Sequence, residues 1–136
     1  MLSHLLDTSV LARLSEPAVR AVVEPIAAIG RAARAGISDL EIGYSARNGR
    51  EWDALVGALD TLLLVETTAD HVQRARQVQR LLAADSQRGR KIPDLLVAAA
   101  AEQLGYTVLH YDANFDHLAG VTGQPCQWVV PPGTVD

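Results

Sequence analysis

The sequence is poor in the residues that most often announce a specialised site. Its only cysteine is Cys126, so an internal disulfide is impossible, and no second cysteine or histidine stands at ligand spacing for zinc. Aromatics are few, one Phe, two Trp and three Tyr, which leaves little surface for stacking on nucleobases; Trp52 and Trp128 read as packing residues. Positive charge is in deficit. Twelve Lys and Arg face 16 Asp and Glu, net -4, which argues against indiscriminate binding of a polyanion. No run approaches the roughly 20 apolar residues that span a bilayer. The N-terminus lacks the basic region, unbroken apolar stretch and small-residue cleavage site of a signal peptide. A soluble, unprocessed chain in a reducing cytoplasm is expected. With 49% hydrophobic residues in 136, a normal core can form, and one domain over 1–136 is expected.

What is present is alternation of β-prone and helical stretches. Leu2 to Leu6 reads as a first strand, followed by helices over Thr8 to Ser15 and Pro17 to Val23, with Pro17 suited to a first helical turn. A short strand is predicted at Ala33 to Ile37. Ser38 then reads as an N-cap with Glu41 at capping-box spacing, leading a helix through Arg47 that ends at Asn48-Gly49. Leu62 to Val65 is a buried strand, and Thr68 caps a long helix carrying Val72, Ala75, Val78, Leu81 and Leu82 at helical spacing. Ser86 to Arg90 breaks that helix. Pro93 opens another, which stops at Gly105; Thr107 to Tyr111 is a strand, Phe115 to Leu118 a short helix, and Gln127 to Val130 a last edge strand. Strands alternating with helices predict a parallel α/β sandwich.

Four carboxylates, Asp7, Glu41, Asp94 and Asp112, stand where a strand hands over to a helix or in the first turns of that helix. In an open parallel sheet the loops at the carboxyl ends of strands share one crevice, so acids far apart in sequence can meet there. Each also has a plainer reading. Asp7 and Asp112 can serve as helix N-caps, Asp94 can complement a helix dipole after Pro93, and Glu41 can close a capping box. Their joint occurrence favours a divalent-cation site. Asp94 opens the apolar stretch Leu95-Leu96-Val97-Ala98-Ala99-Ala100-Ala101, where an uncompensated carboxylate is costly. Oxygen-only ligands suit Mg²⁺ or Mn²⁺.

The segments Leu5-Leu6-Asp7-Thr8-Ser9-Val10-Leu11, Ser38-Asp39-Leu40-Glu41, Ile92-Pro93-Asp94-Leu95-Leu96-Val97-Ala98-Ala99-Ala100 and Leu109-His110-Tyr111-Asp112-Ala113-Asn114-Phe115-Asp116 resemble the successive acidic motifs of PIN-domain ribonucleases. More narrowly, they resemble the VapC toxins of bacterial type II toxin-antitoxin systems, over essentially the full length. The resemblance implies a PIN-like α/β/α sandwich around a mainly parallel sheet of four to five strands. It further implies Mg²⁺- or Mn²⁺-dependent endoribonuclease activity on RNA, with Asp7, Glu41, Asp94 and Asp112 as the catalytic and metal-binding acids. Dimerisation and inhibition by a cognate VapB-like antitoxin are implied as well. One position departs from the pattern: Asn114 stands where relatives often carry Asp, which brings no charge for a second metal.

Around these acids, Thr8 and Ser9 are candidates to hydrogen-bond a carboxylate or metal-bound water, with Asn114 and Asp116 as further outer ligands; a helix cap and a solvated side chain are the plainer readings of the hydroxyls and of Asp116. Basic residues cluster at Arg47-Asn48-Gly49-Arg50 and at Arg88-Gly89-Arg90-Lys91. The second cluster precedes Pro93-Asp94 and could lead an RNA backbone into the site, although solvated loop charge reads equally well. Other classes remain open at this level. His110 with Asp112 would permit a metal-independent ribonuclease leaving a cyclic phosphate. A phosphatase or phosphoacceptor would also begin on a strand-end Asp, but the chain has Thr8-Ser9 rather than a second Asp two residues on. A non-catalytic interaction module of the same fold is the remaining alternative.

Overall fold

The computed structural model describes residues 3–86 and 91–136. The N-terminal strand β1, His4–Leu6, is apolar and short; Asp7 ends it and begins α1, Thr8–Leu11. This first helix is a single turn rather than the predicted eight residues. The next, α2, spans Pro17–Ala28 with Pro17 in its first turn. It continues past Val23 and through Pro25 because Ala21 and Pro25 both lie on the exposed face, where water can take the carbonyl that Pro25 leaves without a donor.

Strand β2, Ala32–Ala35, passes directly into α3, Gly36–Gly43. The expected Ser38 cap is therefore corrected: the N-cap position is Ala35, without a side-chain cap, and Ser38 lies inside the helix and is fully buried. Asn48 does not end that helix but starts another, α4, Gly49–Gly57, by accepting the Glu51 amide at 2.9 Å. Trp52 of α4 packs so closely on Gly43 that a Cβ there would lie 2.3 Å from its indole nitrogen, so glycine sets the approach of α3 and α4.

The edge strand β3, Leu63–Val65, precedes α5, Ala69–Ala84, whose Thr68 cap forms a reciprocal box with His71. Helix α6, Ile92–Leu104, carries Pro93 in its first turn and ends at Gly105, where φ is 73°. Then come β4, Thr107–His110, α7, Asn114–Thr122, and the second edge strand β5, Cys126–Trp128.

The five strands are all parallel in the order β3-β2-β1-β4-β5. Leu6 of β1 stands level with Arg34 of β2 and Leu109 of β4. The chain builds outward from β1 to one edge and then returns to build the other half, so a crevice opens at the carboxyl ends of β1 and β4. Side chains alternate across the sheet. Leu5, Ala33, Ala35 and Val108 meet Leu82, Val97, Phe115 and Leu118 on one face. Leu6, Ala32 and Leu109 meet Val10, Val19, Val23 and Leu62 on the other, which makes the two-faced sandwich that the period of two requires.

One buried cation braces this frame. Arg34 pairs with Asp39 through Nε at 2.8 Å and Nη2 at 3.3 Å, and donates Nη1 to the Leu59 carbonyl at 2.8 Å and to the Leu62 carbonyl. It thus locks β2 to the start of α3 and to the turn between α4 and β3. No helix among the described residues is long and apolar enough to cross a membrane.

Candidate active site

The crevice is built from the ends of β1 and β4 and the starts of α1 and α6. Asp7 leaves β1 with its backbone N–H bonded to the Leu109 carbonyl at 2.9 Å, which fixes it beside β4. Its Oδ2 accepts the Ser9 amide at 3.0 Å and the Ser9 hydroxyl at 2.6 Å, while Ser9 Oγ accepts the Tyr111 amide at 2.9 Å. Asp7 is only 3% exposed, and its Oδ1 is buried without a hydrogen-bond partner.

Asp94, in the first turn of α6, is 5% exposed, and its Oδ2 accepts the Asn114 side-chain amide at 3.2 Å. Asp112 follows β4; its Oδ1 accepts the Asn114 backbone amide at 2.9 Å, and its Oδ2 lies 3.8 Å from Lys91 Nζ. Glu41 reaches in from α3, with Oε1 accepting the Thr8 hydroxyl at 2.7 Å. Thr8 Oγ1 also stands 2.9 Å from Ser38 Oγ.

These acids lie near enough to one another for their charges to interact. Burial raises the Asp7 carboxyl above its ordinary value, the Ser9 hydrogen bonds oppose that rise, and the Glu41 charge adds to it. Burial likewise pushes Asp94 up to about 7, reinforced by the charges of Asp7 and Asp112 and opposed by the Asn114 hydrogen bond and Lys91. Glu41, Asp7, Asp94 and Asp112 therefore form one electrostatically linked series.

Among the described residues no three acid, histidine or cysteine side chains are already drawn into a closed metal cage. The carboxylates are instead held by neutral partners, Glu41 by Thr8, Asp7 by Ser9, and Asp94 and Asp112 by Asn114. The donor set nevertheless fits a hard divalent cation. It offers oxygen alone, and the unpartnered Asp7 Oδ1 is a buried acceptor whose desolvation a cation would offset. Ion binding would also reverse the upward shifts at Asp7 and Asp94 by favouring their charged forms.

Residues 4–121 match the PIN domain family. The chain belongs to that family. Over 135 residues, covering 99% of this chain and 98% of the relative, it is 64% identical to Ribonuclease VapC51 of Mycobacterium tuberculosis. It is 45% identical to Ribonuclease VapC21 of the same species over 96% of each chain. Among solved structures, DNA-bound VapBC from Salmonella typhimurium superposes with a TM-score of 0.79 at 17% identity, covering 96% of this chain and 100% of that one. VapBC-5 from Mycobacterium tuberculosis gives 0.72 at 20%, covering 94% and 99%. These structural likenesses bear on the fold, and the all-parallel sheet flanked by helices is that of the PIN domain.

Within this PIN domain the remaining candidates separate. Asn114 bridges Asp94 and Asp112 through its side chain and backbone. Asp116 turns away, accepting the Trp128 indole N–H at 3.2 Å. Lys91 is at the rim of the acids, whereas Arg47 is exposed and paired with Glu51 at 2.9 Å, and Arg50 is exposed on α4. Arg88 and Arg90 lie outside the described residues. His110 is fully buried between Phe115 and Trp128, each ring 5.0 Å away, and burial lowers its pKa. Its Nδ1 accepts the Asp112 amide at 3.2 Å, so it supports the fourth acid's backbone and is not presented to a substrate as a general base. The sequence pattern marks Ser38 as a helix cap rather than as the partner of Thr8, and gives no sign of the Arg34 brace.

Proposed function

We propose that this chain is a metal-dependent endoribonuclease, the toxin of a toxin-antitoxin pair, which hydrolyses RNA phosphodiester bonds to 5′-phosphate and 3′-hydroxyl ends. The observation that carries the reading is the pairing of Asp7, with one buried oxygen lacking a partner, and Asp94, pushed up to about 7 partly by the charge of Asp7. Such a pair is costly for stability and well suited to a cation. The names of the 64% and 45% identical relatives support ribonuclease activity.

In this reading Asp7 and Asp94 hold Mg²⁺ or Mn²⁺, with Glu41 and Asp112 beside them. When bound, the ion supplies a water nucleophile at neutral pH and charge neutralisation at the scissile phosphate. Ser9 fixes the direction of Asp7 by binding one oxygen and leaving the other free. Asn114 binds Asp112 through its backbone amide and Asp94 through its side chain, so its lack of charge does not leave a gap that would favour a non-catalytic module. Lys91, 3.8 Å from Asp112 and largely exposed, can meet a phosphate at the crevice mouth, with Arg88, Arg90, Arg47 and Arg50 as further backbone contacts.

The antitoxin has a fitting surface. A groove of about 570 Å³ runs between α1, α3 and α4, lined by Leu11, Leu14, Ile42, Leu55 and Leu59, with Glu41 and Thr8 at its edge. An apolar helix from a VapB-like partner fills it, and a basic side chain, best an Arg with its planar fork, reaches the acids and blocks the cation. VapBC-5, which shares this fold, is a member of the VapBC family of toxin-antitoxin systems. A cytoplasmic homodimer completes the proposal.

Purified protein should cleave RNA with Mg²⁺ or Mn²⁺, stop in chelator, and leave 5′-phosphate ends. Undiminished cleavage in chelator with cyclic-phosphate products would overturn it.

A further inference from the structure

Glu41 is the one acid of the four that is exposed, yet its carboxylate is held in place by a chain of hydroxyls that begins in the core. Thr8 Oγ1 stands 2.7 Å from Glu41 Oε1 and 2.9 Å from Ser38 Oγ. A threonine hydroxyl has one proton. An ionised carboxylate only accepts, so the Thr8 proton must point to Glu41, and the Thr8–Ser38 bond must then be donated by Ser38. Ser38 is 0% exposed, and Thr8 is its hydroxyl's partner among the described residues. No solvent competes for its proton, so Ser38 has a single orientation available.

We propose that Ser38 is a positioning residue that directs the Thr8 hydroxyl, and through it the Glu41 carboxylate, into the acidic crevice. Its place in α3 suits the task. Ser38 and Glu41 are three residues apart and thus lie on one helix face, turned toward Thr8 at the start of α1. Without the Ser38 donor, the Thr8 hydroxyl can rotate away, and Glu41 becomes an ordinary mobile surface side chain. The inference rests on the proposed role of Glu41 at a divalent cation.

The test is a double-mutant cycle read by direct Mn²⁺ binding to the metal-stripped full chain, alongside RNA cleavage and thermal unfolding. Ser38→Ala should weaken Mn²⁺ binding on the order of tenfold, as loss of an outer-sphere partner does. The same change in a Thr8→Val background should have little further effect, because the relay is already cut. Ser38→Cys, close in size and a weak donor, should follow Ser38→Ala and keeps the test open if the alanine variant loosens the core. Equal losses of Mn²⁺ affinity from Ser38→Ala in both backgrounds, or lowered thermal stability with unchanged Mn²⁺ affinity, would overturn the relay. Glu41→Gln separates the two levels: if it leaves Mn²⁺ affinity unchanged, the assignment of Glu41 fails and the inference with it; if it weakens binding while Ser38→Ala does not, only the inference fails.

Discussion

Asn114 donates its side-chain amide to Asp94 Oδ2 at 3.2 Å, which ties the start of α7 to the start of α6 across the crevice. The bond opposes the burial and charge that push Asp94 up to about 7. Replacing it with a carboxylate exchanges a donor for a third charge facing Asp94 and Asp112. Asn114→Asp should therefore lower metal-free stability by about 1–3 kcal/mol, the range for a buried acceptor that loses its donor. It should also enlarge the rise in melting temperature on adding Mn²⁺. Melting curves with and without metal check both signs; an unchanged metal increment would show that Asn114 does not face the cation.

The same carboxyl sets a pH dependence. Asp94 rises from an ordinary value of 3.8 to about 7, and Asp7 moves in the same direction. Between these limits the folded protein binds more protons than the unfolded chain, so metal-free stability falls as pH climbs from about 4 to about 7. Divalent metal must displace those protons, so Mn²⁺ affinity should increase over the same interval and flatten above it. Titration of metal affinity and of denaturant midpoints against pH tests the pair of slopes. Asp94→Asn should remove most of both.

Asp7→Asn separates function from stability. The Asp7 carboxylate is buried, its Oδ1 has no partner, and burial is the first cause of its raised pKa. Removing the charge should leave the metal-free fold as stable or more stable, by about 1–2 kcal/mol, while abolishing metal-dependent cleavage. Urea unfolding and an RNA cleavage assay on one preparation decide it. A destabilised variant would mean that Asp7 is chiefly a structural helix cap.

Asp7, Asp94 and Asp112 were legible in the sequence because each follows a strand or opens a helix, and the parallel topology gathers such positions. Glu41 was legible from its place in the first turns of a helix, and it is the plainer reading that the structure corrects: its spacing from Ser38 reflects a shared helix face and not a capping box. Asn48-Gly49 misled in the same way, since an asparagine beside a glycine can close one helix or open the next, and only the Glu51 amide decides. Arg34 left no local signal. Its carbonyl partners lie 25 and 28 residues away, and nothing beside it in the sequence reveals the turn between α4 and β3 that supplies them.

Arg34 should accordingly be the costliest non-catalytic position. Arg34→Ala leaves Asp39 and the Leu59 and Leu62 carbonyls without their donors, and breaking a buried pair of this kind costs about 3–5 kcal/mol. Chemical denaturation measures the loss. Arg34→Lys should recover little, because a single ammonium cannot reproduce the fork that serves Asp39 and two carbonyls together.

The groove between α1, α3 and α4 gives a prediction that parts inhibition from catalysis. Leu55 lines it, is 36% exposed, and belongs to none of the contacts that hold the acids. Leu55→Glu places a charge where an apolar partner helix would have to desolvate it, so antitoxin affinity should fall by about 2 kcal/mol or more, mostly through faster dissociation. RNA cleavage by the free chain should persist at near its normal rate, because Thr8 and Glu41 at the groove's edge keep their own hydrogen bond. Lys91→Ala should do the reverse: antitoxin seated in the groove stays bound, while RNA binding weakens and its salt dependence flattens by about 0.7 log units per log salt for the lost single-strand contact. Surface-plasmon measurements with the partner and salt-titrated RNA binding together test the separation. If Leu55→Glu left antitoxin affinity intact, the partner would have to grip another face, and blockage of the acids would need a route other than this groove.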